Sequence, residues 1–405
     1  MSIESLFWIS LVAVVAPLVS GAVPRRLVPE VVLLLVLGVV IGPFGIGLAE
    51  PDEAIDMLSD LGLAMLFLQA GFEIDPAELT GSAGRRAMWT WLTSLAVAFG
   101  LVALLDAAGL VHAEVALAIA LTSTALGTLL PILKDGGLLG RPVGEHVLRH
   151  GAVGELGPIV AIALLLGTRG PIRSLVVLAA FAAFALLVTV WSLRLQRRES
   201  QILELIRRGA ETTGQTTVRV TMLLLVSLLA VATAFHLDIV LAAFAAGFIL
   251  RIAIPEGDEH LEARLEGIAF GLLVPIFFVH SGMGLDPQAI VDEPGAFVAV
   301  IVLILVARGL PVLGACRLER GPSRLTDRDG LAVALFSSTG LPIIVAVTSV
   351  AVSAGQMTGK NASVLVGAGA ATVLLCPLLA TLVMGRTAPE AAQRGEGDAT
   401  RGTVS

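Results

Sequence analysis

The chain is poor in the residues that coat a water-soluble protein. Only 15% of its 405 residues are charged, whereas 56% are hydrophobic and the mean hydropathy is +0.92. A soluble domain carries roughly 25% charged residues, so this composition excludes an ordinary soluble enzyme. A surface that faces lipid needs no polar coat. The scarcity of charge therefore indicates a protein that lies within a membrane.

Cysteine is rare in the chain, and tyrosine is absent. The two cysteines, Cys316 and Cys376, both lie in apolar segments, where we expect small packed side chains rather than a disulfide framework. The chain has no tyrosine, so it lacks the TVGYG filter of a potassium channel. Near Lys360 the stretch GQMTGKN lacks the spacing of a phosphate-binding loop. We therefore predict no cofactor, no cluster of metal-binding His and Cys, and no nucleic-acid-binding face.

Long apolar stretches dominate what remains. A helix that spans a membrane needs about 20 mostly apolar residues. Segments of that kind predict an all-α membrane protein of about thirteen spanning helices, at 5–23, 29–47, 54–72, 86–108, 112–133, 146–167, 172–193, 217–235, 238–254, 265–282, 295–316, 330–354 and 361–385.

The basic residues predict how these spans are oriented. The loops after odd-numbered spans, together with their flanks and the C-terminal tail, hold 21 of the 26 Lys and Arg residues, whereas the opposite loops hold three. Basic loops stay in the cytoplasm, so the N-terminus is predicted outside and the C-terminus inside. We expect a membrane domain over 1–385 and a disordered cytoplasmic tail over 386–405.

An internal repeat relates the two halves of the chain. At an offset of 211 residues, Phe67 matches Phe278 and Gly71 matches Gly282. The matching spans are the third and the tenth, and because seven is an odd number the two copies cross the membrane in opposite directions. Inverted repeats of this kind are typical of secondary transporters, whose binding sites lie at interrupted helices in corresponding positions of the repeats.

The fifth and twelfth spans both combine hydroxyl side chains with helix-breaking residues. Carbonyls and hydroxyls freed by a break can bind a small cation, although close helix packing is an alternative explanation for the hydroxyls. The predicted ligands are Thr122, Ser123, Thr124, Ser337, Ser338 and Thr339. The predicted breaks are Gly127, Pro131, Gly340 and Pro342.

Two charged residues lie deep within predicted spans, where charge is costly and usually functional. At about 1.5 Å per residue, Glu155 and Arg308 both lie roughly 12–14 Å from the cytoplasmic ends of their helices. A buried carboxylate binds either a proton or a cation, which is the basis of exchange. Arg308 keeps its proton, so it is predicted to be the charge partner of Glu155 or to hold the repeats together. A purely structural ion pair and a snorkelling Arg308 are the alternatives.

Four stretches carry a resemblance to a known family: PEVVLLLVLGVVIGPFGIGL (29–48), LGLAMLFLQAGFEID (61–75), ALTSTALGTLLPILKDGGLLG (120–140) and PIFFVHSGMGLD (275–286). They resemble the monovalent cation:proton antiporter-2 family. The resemblance implies a sodium/proton antiporter-like fold with two crossed, interrupted helices. It also implies a transport core of helices 4–6 and 11–13, a dimerisation panel of helices 1–3 and 8–10, a linker at helix 7, and elevator-type alternating access.

The resemblance places Glu155 at the transport carboxylate, with two departures from the family pattern. Gly154 stands where a polar residue usually precedes that carboxylate, and Arg308 stands where electrogenic members carry lysine. We therefore expect electroneutral one-for-one exchange, with the monovalent cation bound at Glu155.

The resulting expectation is a homodimeric, non-enzymatic exchanger of Na⁺ or K⁺ for H⁺ in the bilayer of a bacterial inner membrane. A sodium-coupled symporter of an organic anion and a non-transporting sensor or channel remain as alternatives.

Overall fold

A computed structural model of the chain describes residues 3–22, 28–74, 76, 81–109, 114–166, 179, 183, 187, 215–235, 238–254, 259–319 and 324–384. Within these ranges the regular secondary structure is helical throughout. The predicted tail at 386–405 and most of the seventh predicted span lie outside the described residues.

The first half contains helices α1 (Ile3–Ala22), α2 (Glu30–Ile41), α3 (Glu53–Glu73), α4 (Gly81–Ala107), α5 (Glu114–Ala120), α6 (Leu126–Asp135) and α7 (Pro142–Ala161), which continues as a π-helical segment, Ile162–Leu166. The second half contains α8 (Thr216–Ala234), α9 (Ile239–Ala253), α10 (Glu259–Ile268), α11 (Val274–Met283), α12 (Pro287–Asp292), α13 (Pro294–Ile304), α14 (Leu310–Leu318), α15 (Asp327–Ser337), α16 (Leu341–Ser353) and α17 (Gly359–Met384). π-Helical segments join α10 to α11 (Ala269–Leu273) and α13 to α14 (Leu305–Gly309).

Nine stretches of the described residues are long and apolar enough to cross a membrane. Two shorter apolar helices, α2 and α9, coincide with the second and ninth predicted spans, and the fifth predicted span is divided into α5 and α6. The all-α membrane fold is therefore confirmed. The count of thirteen stays a prediction, because the seventh span at 172–193 is largely outside the described residues.

Side-chain caps fix where several helices begin. The carboxylate of Asp52 accepts hydrogen bonds from the N–H groups of Ala54 and Ile55, at 3.0 and 2.9 Å, at the start of α3. The hydroxyl of Thr326 accepts from the N–H of Asp329 at the start of α15. Such caps satisfy N–H groups that have no partner within the helix.

Burial separates interior helices from helices that have an exposed face. The stretch Asp327–Ser353 contains α15 and α16, and 89% of its most apolar 18 residues are buried. In α1 only 28% of the corresponding residues are buried. The interrupted helix α15–α16 therefore lies at the centre of the protein, and α1 lies at its edge.

Glycines at matched positions of the two repeats allow pairs of helices to approach closely. A Cβ atom built at Gly71 of α3 would lie 2.1 Å from the carbonyl oxygen of Phe244 in α9. A Cβ atom at Gly282 of α11 would lie 2.3 Å from the carbonyl oxygen of Leu35 in α2. Only glycine fits at such distances. The α3–α9 and α2–α11 contacts are thus equivalent, as the inverted repeat predicts.

The helices fall into two groups according to their contacts. Helices α1–α3 and α8–α11 pack mainly against one another, as do helices α4–α7 and α12–α17. The main contacts between the groups join α3 to α6, α9 to α7 and α2 to α17. The boundary between the groups therefore runs beside α6 and α7.

Candidate functional site

Two interrupted helices meet near the middle of the molecule. Residues 121–125 separate α5 from α6, and residues 338–340 separate α15 from α16. The backbone N–H of Ala125 donates a hydrogen bond to the carbonyl oxygen of Thr339 at 2.8 Å, which joins the two unwound segments. Backbone groups freed by the breaks are thereby satisfied inside the protein, as they must be in a membrane. The predicted pair of crossed, interrupted helices is confirmed.

The six hydroxyl side chains predicted as cation ligands are all buried at this crossing. Five of them donate to backbone carbonyls: Thr122 to Ile119, Ser123 to Ala120, Thr124 to Ser337, Ser338 to Ala334 and Thr339 to Phe336. The sixth hydroxyl, that of Ser337, has no hydrogen-bond partner. A hydroxyl that donates keeps its lone pairs. A ligand role for these six residues therefore stays a prediction.

The predicted helix breaks are placed correctly in one repeat and wrongly in the other. Gly340 is the N-cap residue of α16, and Pro342 lies in the first turn, where a missing N–H costs nothing. Gly127 and Pro131 instead lie inside α6, beyond the unwound segment. The interruption falls earlier because the backbone N–H of Thr124 bonds to the carbonyl of Gly154 in α7, at 2.9 Å, which draws the chain out of the helix.

Glu155 lies beside the crossing, on α7. Glu155 is 3% exposed. Its Oε2 atom accepts a long hydrogen bond of 3.4 Å from the backbone N–H of Leu126, the first residue of α6. The carboxylate therefore faces the N-terminus of a half-helix, where the helix dipole and unpaired N–H groups favour negative charge. The structure thus places the predicted carboxylate beside the start of α6, where the observed interruption ends.

Arg308 is fully buried in the π-helical segment between α13 and α14. Its Nε donates to the hydroxyl oxygen of Thr124 at 3.0 Å, its Nη2 donates to the carbonyl oxygen of His150 at 2.6 Å, and its Nη1 has no partner. The predicted ion pair with Glu155 is not formed. The guanidinium instead ties the fifth, sixth and eleventh spans together, which was the other role expected of it.

The two departures from the family pattern, Gly154 and Arg308, are in direct contact and depend on each other. A Cβ atom built at Gly154 would lie 2.2 Å from Nη2 of Arg308 and 2.6 Å from the hydroxyl oxygen of Thr124. The guanidinium therefore occupies the space that a side chain at position 154 would need. This also explains why Arg308 does not reach Glu155, because it is held on the side of α7 that faces Thr124.

A second carboxylate near Glu155 was missed by the sequence analysis. Glu73, the last residue of α3, is partly buried, and its Oε2 atom is buried without a hydrogen-bond partner. A Cβ atom built at Gly127 would lie 3.8 Å from this oxygen, and the preceding residue, Leu126, donates to Glu155. The residue falls just beyond the third predicted span at 54–72, where a carboxylate is expected to be solvated. Its proximity to a residue of the other helix group carries no sequence signal.

The described residues contain no group of three His, Cys, Asp or Glu side chains arranged to hold a metal ion.

Three comparisons place these features among known proteins. The family model described as "Sodium/hydrogen exchanger, transmembrane" matches residues 10–384. The chain is 23% identical to YjbQ of Bacillus subtilis over 77% of this chain and 53% of that protein. It is also 24% identical to the Na⁺/H⁺-K⁺ antiporter GerN of Bacillus cereus, over 76% of this chain and 79% of that protein. The chain thus spans about half the length of the first relative and about four fifths of the second.

The fold is similar to that of a solved antiporter. The structure of the sodium proton antiporter MjNhaP1 from Methanocaldococcus jannaschii matches with a TM-score of 0.62 and 18% sequence identity, covering 93% of this chain and 96% of that one. A likeness at this identity concerns the fold alone. The family is given by the sequence match, which extends across nearly the whole helical region. This chain belongs to the transmembrane sodium/hydrogen exchanger family, whose members are transporters rather than enzymes.

Proposed function

We propose that this chain exchanges Na⁺ or K⁺ for protons across a membrane, with Glu155 as the group for which the cation and the proton compete. The observation that carries the proposal is the environment of this carboxylate. It is buried next to the crossed half-helices, its hydrogen-bond donor is one distant backbone N–H, and among the described residues no Lys or Arg pairs with it. A buried carboxylate without a cationic partner must take up a proton or a cation.

The proposed stoichiometry is one proton for one cation. Arg308 does not release a proton, and its charge is the same in every state of the cycle. If Glu155 is the only group that exchanges a proton for a cation, each transport cycle moves one positive charge in each direction. A membrane potential imposed with valinomycin and K⁺, with Na⁺ as the transported ion, should then leave the exchange rate unchanged.

The proposed movement is an elevator-type displacement of one helix group against the other. The division of helix contacts supports this, because α4–α7 and α12–α17 pack mainly among themselves and carry Glu155 and Arg308. The other group, α1–α3 and α8–α11, would be the fixed panel and, by resemblance to the family, the dimer interface. Location in a bacterial inner membrane with a cytoplasmic C-terminus belongs to the same proposal.

The test uses purified protein in liposomes that contain a pH-sensitive dye and an imposed proton gradient. Na⁺, K⁺ and Li⁺ are added in turn to wild type, Glu155→Gln and Glu145→Gln. Glu145 is the matched control, since it is an exposed glutamate on the same helix. We expect at least one cation to dissipate the gradient through wild type and Glu145→Gln, and no cation-dependent change through Glu155→Gln.

Two outcomes would contradict the proposal. If no monovalent cation moves protons through correctly folded wild type, the protein is not such an exchanger. If Glu155→Gln transports as well as wild type, another group carries the proton. Glu155→Asp, which keeps the charge on a shorter side chain, should retain exchange.

A further inference from the structure

A cavity of about 480 Å³ lies between α4, α7 and α14, and Glu155 is not among its lining residues. We infer that this cavity binds the head group of an anionic phospholipid from the cytoplasmic leaflet, with one acyl chain leaving the cavity between α4 and α14. The inference goes beyond the proposed exchange of ions, and it stands or falls independently of it.

The wall that α14 contributes is smooth and mostly apolar. Its lining residues recur at the spacing of one helix face and are Pro311, Gly314, Ala315 and Leu318. At Gly314 nothing lies within 4 Å of an added Cβ atom, so the cavity extends to the backbone of the helix there. A wall of this kind can pack against a hydrocarbon chain, because small side chains let an apolar partner approach closely.

The cavity is bounded by two spans whose outer faces are exposed. In the stretches Gly81–Ala107 and Pro294–Leu318, only 28% of the most apolar 18 residues are buried. Trp89 and Leu318, which both line the cavity, are 68% and 81% exposed. Tryptophan is enriched where a membrane protein meets the lipid head groups. The occupant is therefore expected to come from the bilayer.

Two arginines give the cavity its positive charge. Arg86 on α4 and Arg149 on α7 both line it. Nη1 of Arg86 lies 3.2 Å from Oε1 of Glu319, and Nη2 of Arg149 lies 3.2 Å from Oε2 of Glu145. Glu319, the carboxylate of the lining, also contacts Nε2 of His146 at 2.5 Å. A guanidinium has five N–H donors, so it can bind a carboxylate and a phosphate together.

His150 adds a buried polar atom that has no partner. The residue is 7% exposed and lines the cavity about one helical turn from His146, and within the described part of the chain its Nδ1 atom has no hydrogen bond. A buried polar atom without a partner is costly and requires a specific explanation. The phosphate oxygens and hydroxyl groups of a lipid head group would supply the missing partner.

The position of the cavity favours a lipid over a small free anion. The basic loops put the start of α4 and the end of α14 on the cytoplasmic side. The leaflet on that side carries negative charge, and basic cavities between spanning helices on that side bind anionic head groups. A free phosphate ion would leave the apolar wall of α14 uncovered, whereas a phospholipid covers both the wall and the arginines.

The test counts bound lipids by native mass spectrometry of the delipidated protein in detergent. Phosphatidylglycerol and phosphatidylethanolamine with identical acyl chains are titrated in turn, and inorganic phosphate is added as a competitor. Gly314→Leu fills the cavity without a change of charge, and the double variant Arg86→Gln/Arg149→Gln removes the charge. The matched controls are Gly295→Leu, where an added Cβ also meets nothing within 4 Å, and Arg317→Gln, which changes an exposed arginine of α14 outside this cavity.

We expect wild type to bind one phosphatidylglycerol per chain about tenfold more tightly than phosphatidylethanolamine. The double variant should bind phosphatidylglycerol about 25-fold more weakly, since each basic side chain near the membrane surface contributes roughly fivefold. Its binding of phosphatidylethanolamine should stay the same. Gly314→Leu should abolish the tight site, and both controls should bind as wild type does. Thermal unfolding without lipid shows whether each variant is folded, and if Gly314→Leu is not, the double variant decides.

The inference is overturned if the two lipids bind wild type equally, if folded Gly314→Leu keeps the tight site, or if Arg317→Gln weakens binding as much as the double variant. Displacement of phosphatidylglycerol by millimolar inorganic phosphate would also overturn it, because the cavity would then be a site for free anions. Transport is not measured, so the result does not depend on whether Glu155 exchanges ions.

Discussion

In the first repeat the N-terminus of the half-helix α6 faces the carboxylate of Glu155, whereas in the second repeat the corresponding end of α16 packs against an apolar part of α17. There, a Cβ atom built at Gly369 would lie 2.9 Å from Cδ1 of Ile344 and 3.5 Å from Cδ1 of Leu341. Each repeat thus contains a half-helix whose positive N-terminus points into the protein. A carboxylate faces that N-terminus in the first repeat, whereas the first turn packs against an apolar helix in the second.

The outer parts of the two repeats behave differently from this central part. The contacts of Gly71 with Phe244 and of Gly282 with Leu35 are nearly identical in the two copies. The comparison teaches that the repeat conserves close backbone packing, while the chemistry of the site is asymmetric. The cation site proposed above accordingly has its one strongly buried carboxylate in the first repeat.

The largest effects are expected where the repeats are most alike. Gly71→Ala and Gly282→Ala should each lower the free energy of unfolding by about 3 kcal/mol, because the new Cβ meets a backbone carbonyl that cannot move aside. The two losses should be similar. Thermal unfolding of the detergent-solubilised protein measures both. In the control Gly100→Ala, where nothing lies within 4 Å of the added Cβ, stability should be unchanged or slightly higher. A large difference between the two variants would show that the repeats are not equivalent in packing.

An intermediate loss of stability should distinguish Gly154 in the first repeat from Gly369 in the second. Gly154→Ala should cost about 2 kcal/mol, because the added Cβ meets Arg308 and Thr124 together. Gly369→Ala should cost under about 1 kcal/mol, since the nearest atom is the flexible end of Ile344. Unfolding of the two variants is compared in wild type and in an Arg308→Lys background. The cost of Gly154→Ala should fall in that background, and an unchanged cost would contradict the coupling of positions 154 and 308.

The smallest effect concerns the matched threonines of the crossing. Thr124→Val removes the acceptor for Nε of Arg308 and the donor to Ser337, and should cost about 1.5 kcal/mol. Thr339→Val removes one hydrogen bond to Phe336 on its own helix and should cost under about 1 kcal/mol. The free energies of unfolding of the two valine variants, measured against wild type, give both losses. Thr124→Ser, which keeps the hydroxyl, should behave as wild type. Equal losses for the two valine variants would mean that the bond from Arg308 contributes nothing measurable.

Much of the fold was predictable because its signals are local. Each spanning helix needs about 20 apolar residues in a row. The match of Gly71 to Gly282 at a fixed offset revealed the repeat, and the odd number of spans between them revealed its inversion. Glu155 was predictable for a similar reason, since a carboxylate inside an apolar stretch is rare unless it is functional.

The remainder of the site depended on contacts between distant parts of the chain. Arg308 was expected beside Glu155 because both lie at one depth, but depth along a helix does not give the direction of a side chain. The position of the first break was missed because hydrogen bonds from α7 and from the second crossing segment determine it, whereas Gly127 and Pro131 are tolerated inside α6.

The sequence by itself determined that this protein spans a membrane, that its two halves are inverted copies, and that the carboxylate of Glu155 lies deep within a span. Hydropathy, the number of spans between the repeats and a charge inside an apolar stretch can all be read from the linear chain. Only the tertiary structure decided that Arg308 fills the space above Gly154 and that Glu73 joins Glu155 at the end of α6. Those juxtapositions arise from the packing of helices that are far apart in sequence, and no spacing along one chain encodes them.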